Sequence, residues 1–575
     1  MADDPDDRSP SRREFLQRAG IGAAGAAVGG AAVGVGVEIA DRRRRGEEGY
    51  GFTPLPARRE PGFDHIVVLM FENRSFDHIL GRLYADGGLR PGQRFEGLQH
   101  GRHENVAPDG TVVAAHVYEG STDDVMSAPD PDPGEFYPHV NTQWFGVVAP
   151  DGNADFGHNG FHAPWNAPED TDHPSMSGFV HDYVLNYRAE RGEEPTVAEY
   201  SQVMGGFSPE MLPVFSALAA GFAVYDHWHC AVPSQTFCNR SFFHASTSHG
   251  FVTNGYGTGP KKWLDAPGVP TIFNRLEDAG KSWRVYYDAR QVVSLTGFLH
   301  APSIERYWKT NFRSMEQFAE DARTGNLPDY AFIEPRMVFD HNDMHPPENR
   351  PRVVDVAGQP AYDSALSDVR AAEALLAEVY DAVRSGASPQ GSNAINTVLL
   401  VTFDEHGGLY DHVPPPKATP PSGRPEAGEM GFAFDRLGGR VPTVVVSAYT
   451  QQGTVVNEPM DHASLVHTVT QQHGLAPLTH RDAHARGIQN AINLKNPRQP
   501  QLWPDVPRPY VPKNPEASTQ PPSDTERRRP LTAPAKGLLG LLLARYEPGA
   551  PEPETFGDAY DVLSRHGYGL FGVRD

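Results

Sequence analysis

The chain is predicted to be an α/β protein built on a mostly parallel sheet, and three features of its 575 residues point there. Two runs, His65-Ile66-Val67-Val68-Leu69-Met70-Phe71 and Thr397-Val398-Leu399-Leu400-Val401-Thr402-Phe403, carry apolar residues on both faces, as strands buried between helical layers do. Each run ends abruptly in a polar, acidic segment, and open α/β sheets bind ligands beyond the carboxyl ends of their strands. Between and after these runs lie helical patterns. Residues 364–384 place Val369, Ala372, Leu375, Leu376, Val379 and Val383 on one stripe, with Ser385-Gly386 as a stop. Asp461-His462 opens a second helix through Leu465, Val466 and Val469 to Gly474.

The segment after the second run, Asp404-Glu405-His406-Gly407-Gly408-Leu409-Tyr410-Asp411-His412, holds adjacent carboxylates, imidazoles and two hinge-permitting glycines. The first run leads into Glu72-Asn73-Arg74-Ser75-Phe76-Asp77-His78. Hard divalent cations prefer carboxylate and amide oxygens, so Glu72, Asn73, Asp404 and Glu405 form one site if their strands are neighbours. The residues alone also allow a plainer reading, in which Asp404, Glu405, Asn73 and Ser75 cap helices. A third segment, Val232-Pro233-Ser234-Gln235-Thr236-Phe237-Cys238-Asn239-Arg240, sets a hydroxyl beside an Asn-Arg pair. Thr236 is a nucleophile candidate there, with Asn239 and Arg240 facing an anionic substrate, or else a turn residue.

Five blocks carry a family resemblance. They are Glu72-Asn73-Arg74-Ser75-Phe76-Asp77-His78, Gly206-Phe207-Ser208-Pro209-Glu210-Met211-Leu212-Pro213, Thr271-Ile272-Phe273-Asn274-Arg275-Leu276, Asp404-Glu405-His406-Gly407-Gly408 and Arg440-Val441-Pro442-Thr443-Val444-Val445-Val446-Ser447. In this order they resemble the phosphoesterase family of bacterial phospholipases C, plant non-specific phospholipases C and related acid phosphatases. The resemblance implies an alkaline-phosphatase-like, three-layer α/β/α fold with a mostly parallel central sheet. It implies Thr236 as nucleophile and Glu72, Asn73, Thr236, Asp404 and Glu405 as ligands of a divalent metal ion, with calcium, magnesium, manganese and zinc all left open. Asp343 and His345 match an acid-x-His-Pro pattern in His341-Asn342-Asp343-Met344-His345-Pro346-Pro347. Asp343 is placed at the substrate, and His345, followed by His462, is the leading general acid, since imidazole titrates near working pH. In Asp132-Pro133-Gly134-Glu135, Glu135 stands where the family usually has His, so either His139 or His158 takes over that substrate contact or the position is not essential here.

The implied activity is that of an exported, metal-dependent phosphoesterase, a phospholipase C-like phosphodiesterase working through a phosphothreonine-type intermediate. An acid phosphatase acting on soluble monoesters is the alternative, and a surface protein that binds phospholipid without turnover is a lesser one. Export is read from Ser11-Arg12-Arg13-Glu14-Phe15-Leu16 and the Gly/Ala/Val-rich run at 19–40, a twin-arginine signal that is either removed or kept as an anchor. That makes the twin-arginine machinery a partner and the destination extracellular, periplasmic or the cell surface. The net charge of −23 argues against nucleic acid as a ligand. Cys230 and Cys238 are the two cysteines, read as packed thiols or a disulfide. The expected layout is a signal or anchor at 1–45, a catalytic domain at 60–494 with a loop-rich insertion at 89–200, and a Pro-rich linker and tail at 495–575. The apolar stretch at 536–546 is expected to dock on the body or touch membrane.

Overall fold

A computed structural model describes residues 55–571, apart from 121, 148–161, 258, 289–293, 339–340, 348–367, 512–525, 529–530 and 532. The expected signal at 1–45 and His158 lie outside the described residues.

The central sheet contains β1 (His65–Phe71), β2 (Ala223–Tyr225), β3 (Trp283–Tyr287), β4 (Phe312–Ser314), β5 (Tyr330–Glu334), β6 (Thr397–Phe403), β7 (Thr443–Val446) and β8 (Thr454–Val456). These eight strands lie in the order β8-β2-β7-β6-β1-β5-β3-β4, and β7 alone runs against the others. Both apolar runs singled out in the sequence are central strands, and every residue of β6 is buried. They are also immediate parallel neighbours, paired from His65 opposite Thr397 to Phe71 opposite Phe403. Two strands that end at the same level deliver their following residues to one place.

The helices that frame this sheet include α1 (Tyr137–Phe145), α2 (Phe179–Arg191), α3 (Pro213–Gly221), α4 (Thr236–Ala245), α5 (Val369–Ser385), α6 (Ala463–His473), α7 (Ala533–Tyr546) and α8 (Phe556–Phe571). Phe215 of α3 packs on Phe403, whereas Phe243 of α4 packs on Phe332. Phe403 pairs with Phe71 and Phe332 with Val68, an odd spacing along β1, so these two helices lie on opposite faces of the sheet. The α/β/α layering and the mostly parallel sheet are therefore as the sequence implies.

The predicted helix at 364–384 begins at Val369, capped by the Asp368 side chain, and the second predicted helix ends at Gly474, whose φ of 64° suits a left-handed cap. Helix α3 has no side-chain cap of its own; Glu373 of α5 accepts from the N–H groups of Val214 at 2.7 Å and Phe215 at 2.9 Å instead. Burial pushes the Glu373 carboxyl up to about 8.

The insertion at 89–200 holds more than loops. Val140 and Trp144 of α1 pack with Phe179, Val180 and Tyr183 of α2 in a small separate core that Tyr410 joins. The described start of the linker lies on the body, with the Tyr380 hydroxyl donating to the Pro504 carbonyl at 2.7 Å and Arg384 Nε to that of Pro500 at 3.0 Å. Leu538, Leu539, Leu541 and Leu542 of α7 are buried in one cluster with Phe237, Trp263, Leu295 and Phe298, so this stretch docks on the catalytic body. Among the described residues, no helix is long and apolar enough to cross a membrane. Cys230 and Cys238 are separate buried thiols.

Candidate active site

The acidic centre forms where β1 and β6 end. Asp404 N–H donates to the Phe71 carbonyl at 3.1 Å, which carries the pairing one residue past the strands. The Asp404 Oδ1 then accepts from the N–H groups of Asn73 at 3.1 Å and Glu405 at 2.7 Å. Gly407 makes the tight approach possible: its φ is +64°, and a Cβ there would stand 2.2 Å from the Asn73 carbonyl oxygen. No described helix starts at Asp404 or Asn73, so neither is a cap; Ser75 is one, accepting from the His78 N–H at 3.2 Å.

Helix α4 brings a cation and a hydroxyl to this centre. Arg240 Nη2 lies 2.6 Å from Glu72 Oε1 and its Nε 3.4 Å from Asp404 Oδ2. The guanidinium expected at the substrate is thus engaged by two carboxylates, with Nη1 buried and without a hydrogen-bond partner among the described residues. Thr236 is the first residue of the helix, one turn before Arg240 and on the same face. It is buried, and its hydroxyl makes no hydrogen bond to any described residue. The N-terminus of a helix offers free N–H groups and a positive potential, which favour an anion. Asn239 faces the other way: its Nδ2 donates to the carbonyls of Val232, Ser234 and Gln235 and its Oδ1 accepts from Val232 N–H. The amide expected to contact substrate holds the loop that presents Thr236.

A second group closes the centre from another side. Asp343 accepts from the Glu72 N–H through its carbonyl at 2.8 Å. Its carboxylate bonds His341 Nδ1 at 2.9 Å and the His345 N–H at 3.1 Å, so it orders the loop before reaching any substrate. His345 Nδ1 donates to the Pro346 carbonyl at 2.7 Å. Its Nε2 faces Asn73 Nδ2 at 3.0 Å, Glu135 Oε1 at 3.4 Å and Asp132 Oδ2 at 3.8 Å. Glu135 also accepts from Asn73 Nδ2 and lies against the carboxylates of Asp132 and Glu405.

The electrostatics follow from packing these groups out of water. Burial, then Asp404, holds Glu72 well above the usual carboxylate range; burial, then Glu135 and Asp404, does the same to Glu405. Burial opposes a charge on His345, yet Asp132, Glu135 and Asp343 together raise it well above its ordinary value. His462 behaves differently. Its Nε2 donates to the Asp404 carbonyl at 2.6 Å, its Nδ1 accepts from Trp228 Nε1 at 3.2 Å, and burial pushes it down to about 4. With both nitrogens engaged, His462 is placed to hold the Asp404 main chain. His406, pushed down to about 4 by burial, bonds Gln143 Oε1 at 3.1 Å and ties the insertion to the acidic loop.

Asp77, Asp411 and His412 gather beside this centre, but a guanidinium already occupies them. Arg440 reaches Asp77 Oδ1 and Asp411 Oδ1, each at 2.9 Å, and His412 Nδ1 meets Asp77 Oδ2 at 2.6 Å. This clasp joins the loops that follow β1 and β6. Arg440 and Asp411 stand 29 residues apart, so no local pattern pairs them.

Among the buried atoms without a hydrogen-bond partner in the described residues are Glu72 Oε2, Asn73 Oδ1 and Glu405 Oε1. Such atoms are costly unless something binds them. Two carboxylates and an amide oxygen with free lone pairs fit a hard divalent cation. Fold and site together define a hydrolytic α/β enzyme. The model of the phosphoesterase family matches residues 63–476, and the chain belongs to that family. It is 34% identical over 462 residues to non-specific phospholipase C1 of Arabidopsis thaliana, covering 77% of this chain and 73% of that protein. It is 26% identical over 536 residues to phospholipase C A of Mycobacterium tuberculosis, covering 85% and 86%. Among solved structures, an alkaline phosphatase superfamily protein from Vibrio parahaemolyticus aligns over 49% of this chain and 65% of its own, at 10% identity and a TM-score of 0.28.

Proposed function

We propose that this chain is a metal-dependent phospholipase C-like phosphodiesterase that cleaves the glycerol side of a phospholipid headgroup. The observation that carries the reading is the joining of Glu72-Asn73 to Asp404-Glu405 at paired strand ends, with Thr236 and Arg240 one helical turn apart beside them. Similarity to named phospholipases C supports the choice of substrate class.

In the reaction, the Thr236 oxygen forms a bond to phosphorus as the bond from phosphorus to the glycerol oxygen breaks. The hydroxyl proton passes from Thr236 to water, and His345 gives its Nε2 proton to the departing oxygen. Water then cleaves the phosphothreonine and restores the hydroxyl. A divalent cation held by Glu72, Asn73, Asp404 and Glu405 supplies charge neutralisation at the phosphoryl oxygens and lowers the pKa of the hydroxyl. Arg240 keeps Glu72 and Asp404 aligned, Asn239 fixes the loop before Thr236, and the N-terminus of α4 adds positive potential.

The arginine pair Arg12-Arg13 and the run at 19–40 support export by the twin-arginine route, with the enzyme acting outside the cytoplasm. Purified protein is assayed on phosphatidylcholine and on p-nitrophenyl phosphate, with and without chelator. Diacylglycerol release that chelation abolishes is the expected result. Turnover of the monoester alone selects the acid phosphatase, and phospholipid binding without turnover of either selects a surface-binding protein. A reporter fused to residues 1–45 is exported, and replacing Arg12 and Arg13 by Lys blocks it.

A further inference from the structure

We propose that Asp132, Glu135 and His345, with Glu405 as the shared edge, form a second divalent-cation site, so that the centre is binuclear. The proposal rests on the metal-dependent reading above and adds an ion to it. One ligand atom each from Asp132, Glu135 and His345 falls within a mutual 4.8 Å, and all three residues are buried. A carboxylate pair and an imidazole at that spacing match the donors of a small oxygen-and-nitrogen cation site.

The geometry around the trio supplies the second argument. Glu405 is fully buried; its Oε2 is held by the Gly407 N–H at 2.8 Å, while Oε1 has no hydrogen-bond partner among the described residues. The same carboxylate lies against that of Glu135. Asn73 Oδ1 is likewise buried and unpartnered, on a residue whose Nδ2 donates to Glu135 and whose main-chain N–H donates to Asp404. His345 has the orientation of a ligand: Nδ1 donates to the Pro346 carbonyl, which fixes the ring and turns Nε2 to the carboxylates.

Charge decides between one ion and two. Glu72, Asp132, Glu135, Asp404 and Glu405 are buried together, with Arg240 as their guanidinium; Arg74, at the edge, acts on Asp132 and on Asp343. Two dications and Arg240 match those five carboxylates charge for charge with His345 neutral. One dication with His345 protonated leaves one carboxylate charge unmatched in a dry site, and a buried charge without a counter-charge is strongly disfavoured.

Uptake of the second ion exchanges the Nε2 proton of His345 for the metal, releasing that proton to solvent. With that ion bound, the departing glycerol oxygen would leave as an alkoxide stabilised by the added charge and would take its proton from solvent, so His345 would not be needed as the acid. This also accounts for a carboxylate at position 135: it is a ligand of the second ion and no longer a phosphate contact.

The test is manganese stoichiometry on the full chain, stripped with chelator, reloaded and freed of excess ion, with paramagnetic resonance of the bound metal. Two equivalents per chain with an exchange-coupled spectrum are expected for the native protein. Glu135→Gln and Asp132→Asn should each keep one equivalent, with the six-line spectrum of an isolated ion. One equivalent in the native protein overturns the proposal and leaves the mononuclear reading, with His345 as acid, standing. No bound manganese overturns both. A folded variant that holds two ions, or loses both, also overturns the separate ligand set, and the native stoichiometry decides if neither variant folds.

Discussion

Replacing Arg440 by Met tests how the two acidic loops are held together. The guanidinium is fully buried, paired with Asp77 and Asp411 at 2.9 Å each, stacked over the Phe76 ring at 4.5 Å, and donates to the carbonyls of Glu96 and Asp226. Met fills much of the space but leaves two fully buried carboxylates facing each other. Removing one partner from a buried ion pair costs about 3–5 kcal/mol, and the second stranded carboxylate puts this site at the upper end. Lys keeps the charge but cannot fork to both acids, so Arg440→Lys should recover about half of that loss. The pH dependence has a fixed sign. Burial opposes the charge on His412, but its bond to Asp77 raises its pKa above the ordinary value, so its stabilisation is full below about pH 6.5 and is lost as pH rises through the raised value. Equilibrium urea unfolding of native protein and both variants between pH 5 and 9 reads all three effects. A loss under about 1 kcal/mol for Arg440→Met, or equal stability of the Lys and Met variants, refutes the reasoning.

Other substitutions separate chemistry from support. Thr236→Ala should lower kcat by at least about three orders of magnitude with folding unchanged, as seen by near-UV circular dichroism. His462→Gln should weaken metal binding about 10–100-fold, because it loosens a carbonyl beside two ligands, without removing a limb of the pH–rate profile. Gly407→Ala should do at least as much, since its Cβ meets the Asn73 backbone at 2.2 Å; metal titration followed by calorimetry checks both. Glu373, with a folded pKa of about 8, binds a proton in the native state that the unfolded chain has already lost. Stability should therefore fall as pH rises from about 5 to 8, and Glu373→Gln should flatten that slope in urea unfolding.

The two acidic pairs were legible because each follows an apolar run, and runs with apolar residues on both faces become central parallel strands. Their register could not be read from either run alone; it comes from pairing Phe71 with Phe403. Thr236 and Arg240 were readable as an i, i+4 pair, but the carboxylate partners of Arg240 lie on other strands' ends. The contact of Glu135 with Glu405 was hidden for the same reason, since no local pattern tells that a loop of the insertion reaches the end of β6. The partners of His462 are not legible locally, because an imidazole's function depends on what its two nitrogens meet, here Trp228 and a main-chain carbonyl. Helix α2 escaped notice because its Phe179–Arg191 stretch sits in surroundings rich in Gly, Pro and Asp.

The central claim is that Thr236 attacks phosphorus at a cation-dependent acidic centre. Intact-protein and peptide mass spectrometry after rapid acid quench with phosphatidylcholine addresses it directly. The account predicts a phosphorylated headgroup on Thr236 in metal-loaded native protein, formed in the first turnover and missing after chelation and in Thr236→Ala. Undiminished diacylglycerol release by Thr236→Ala, with no adduct in either protein, would contradict it.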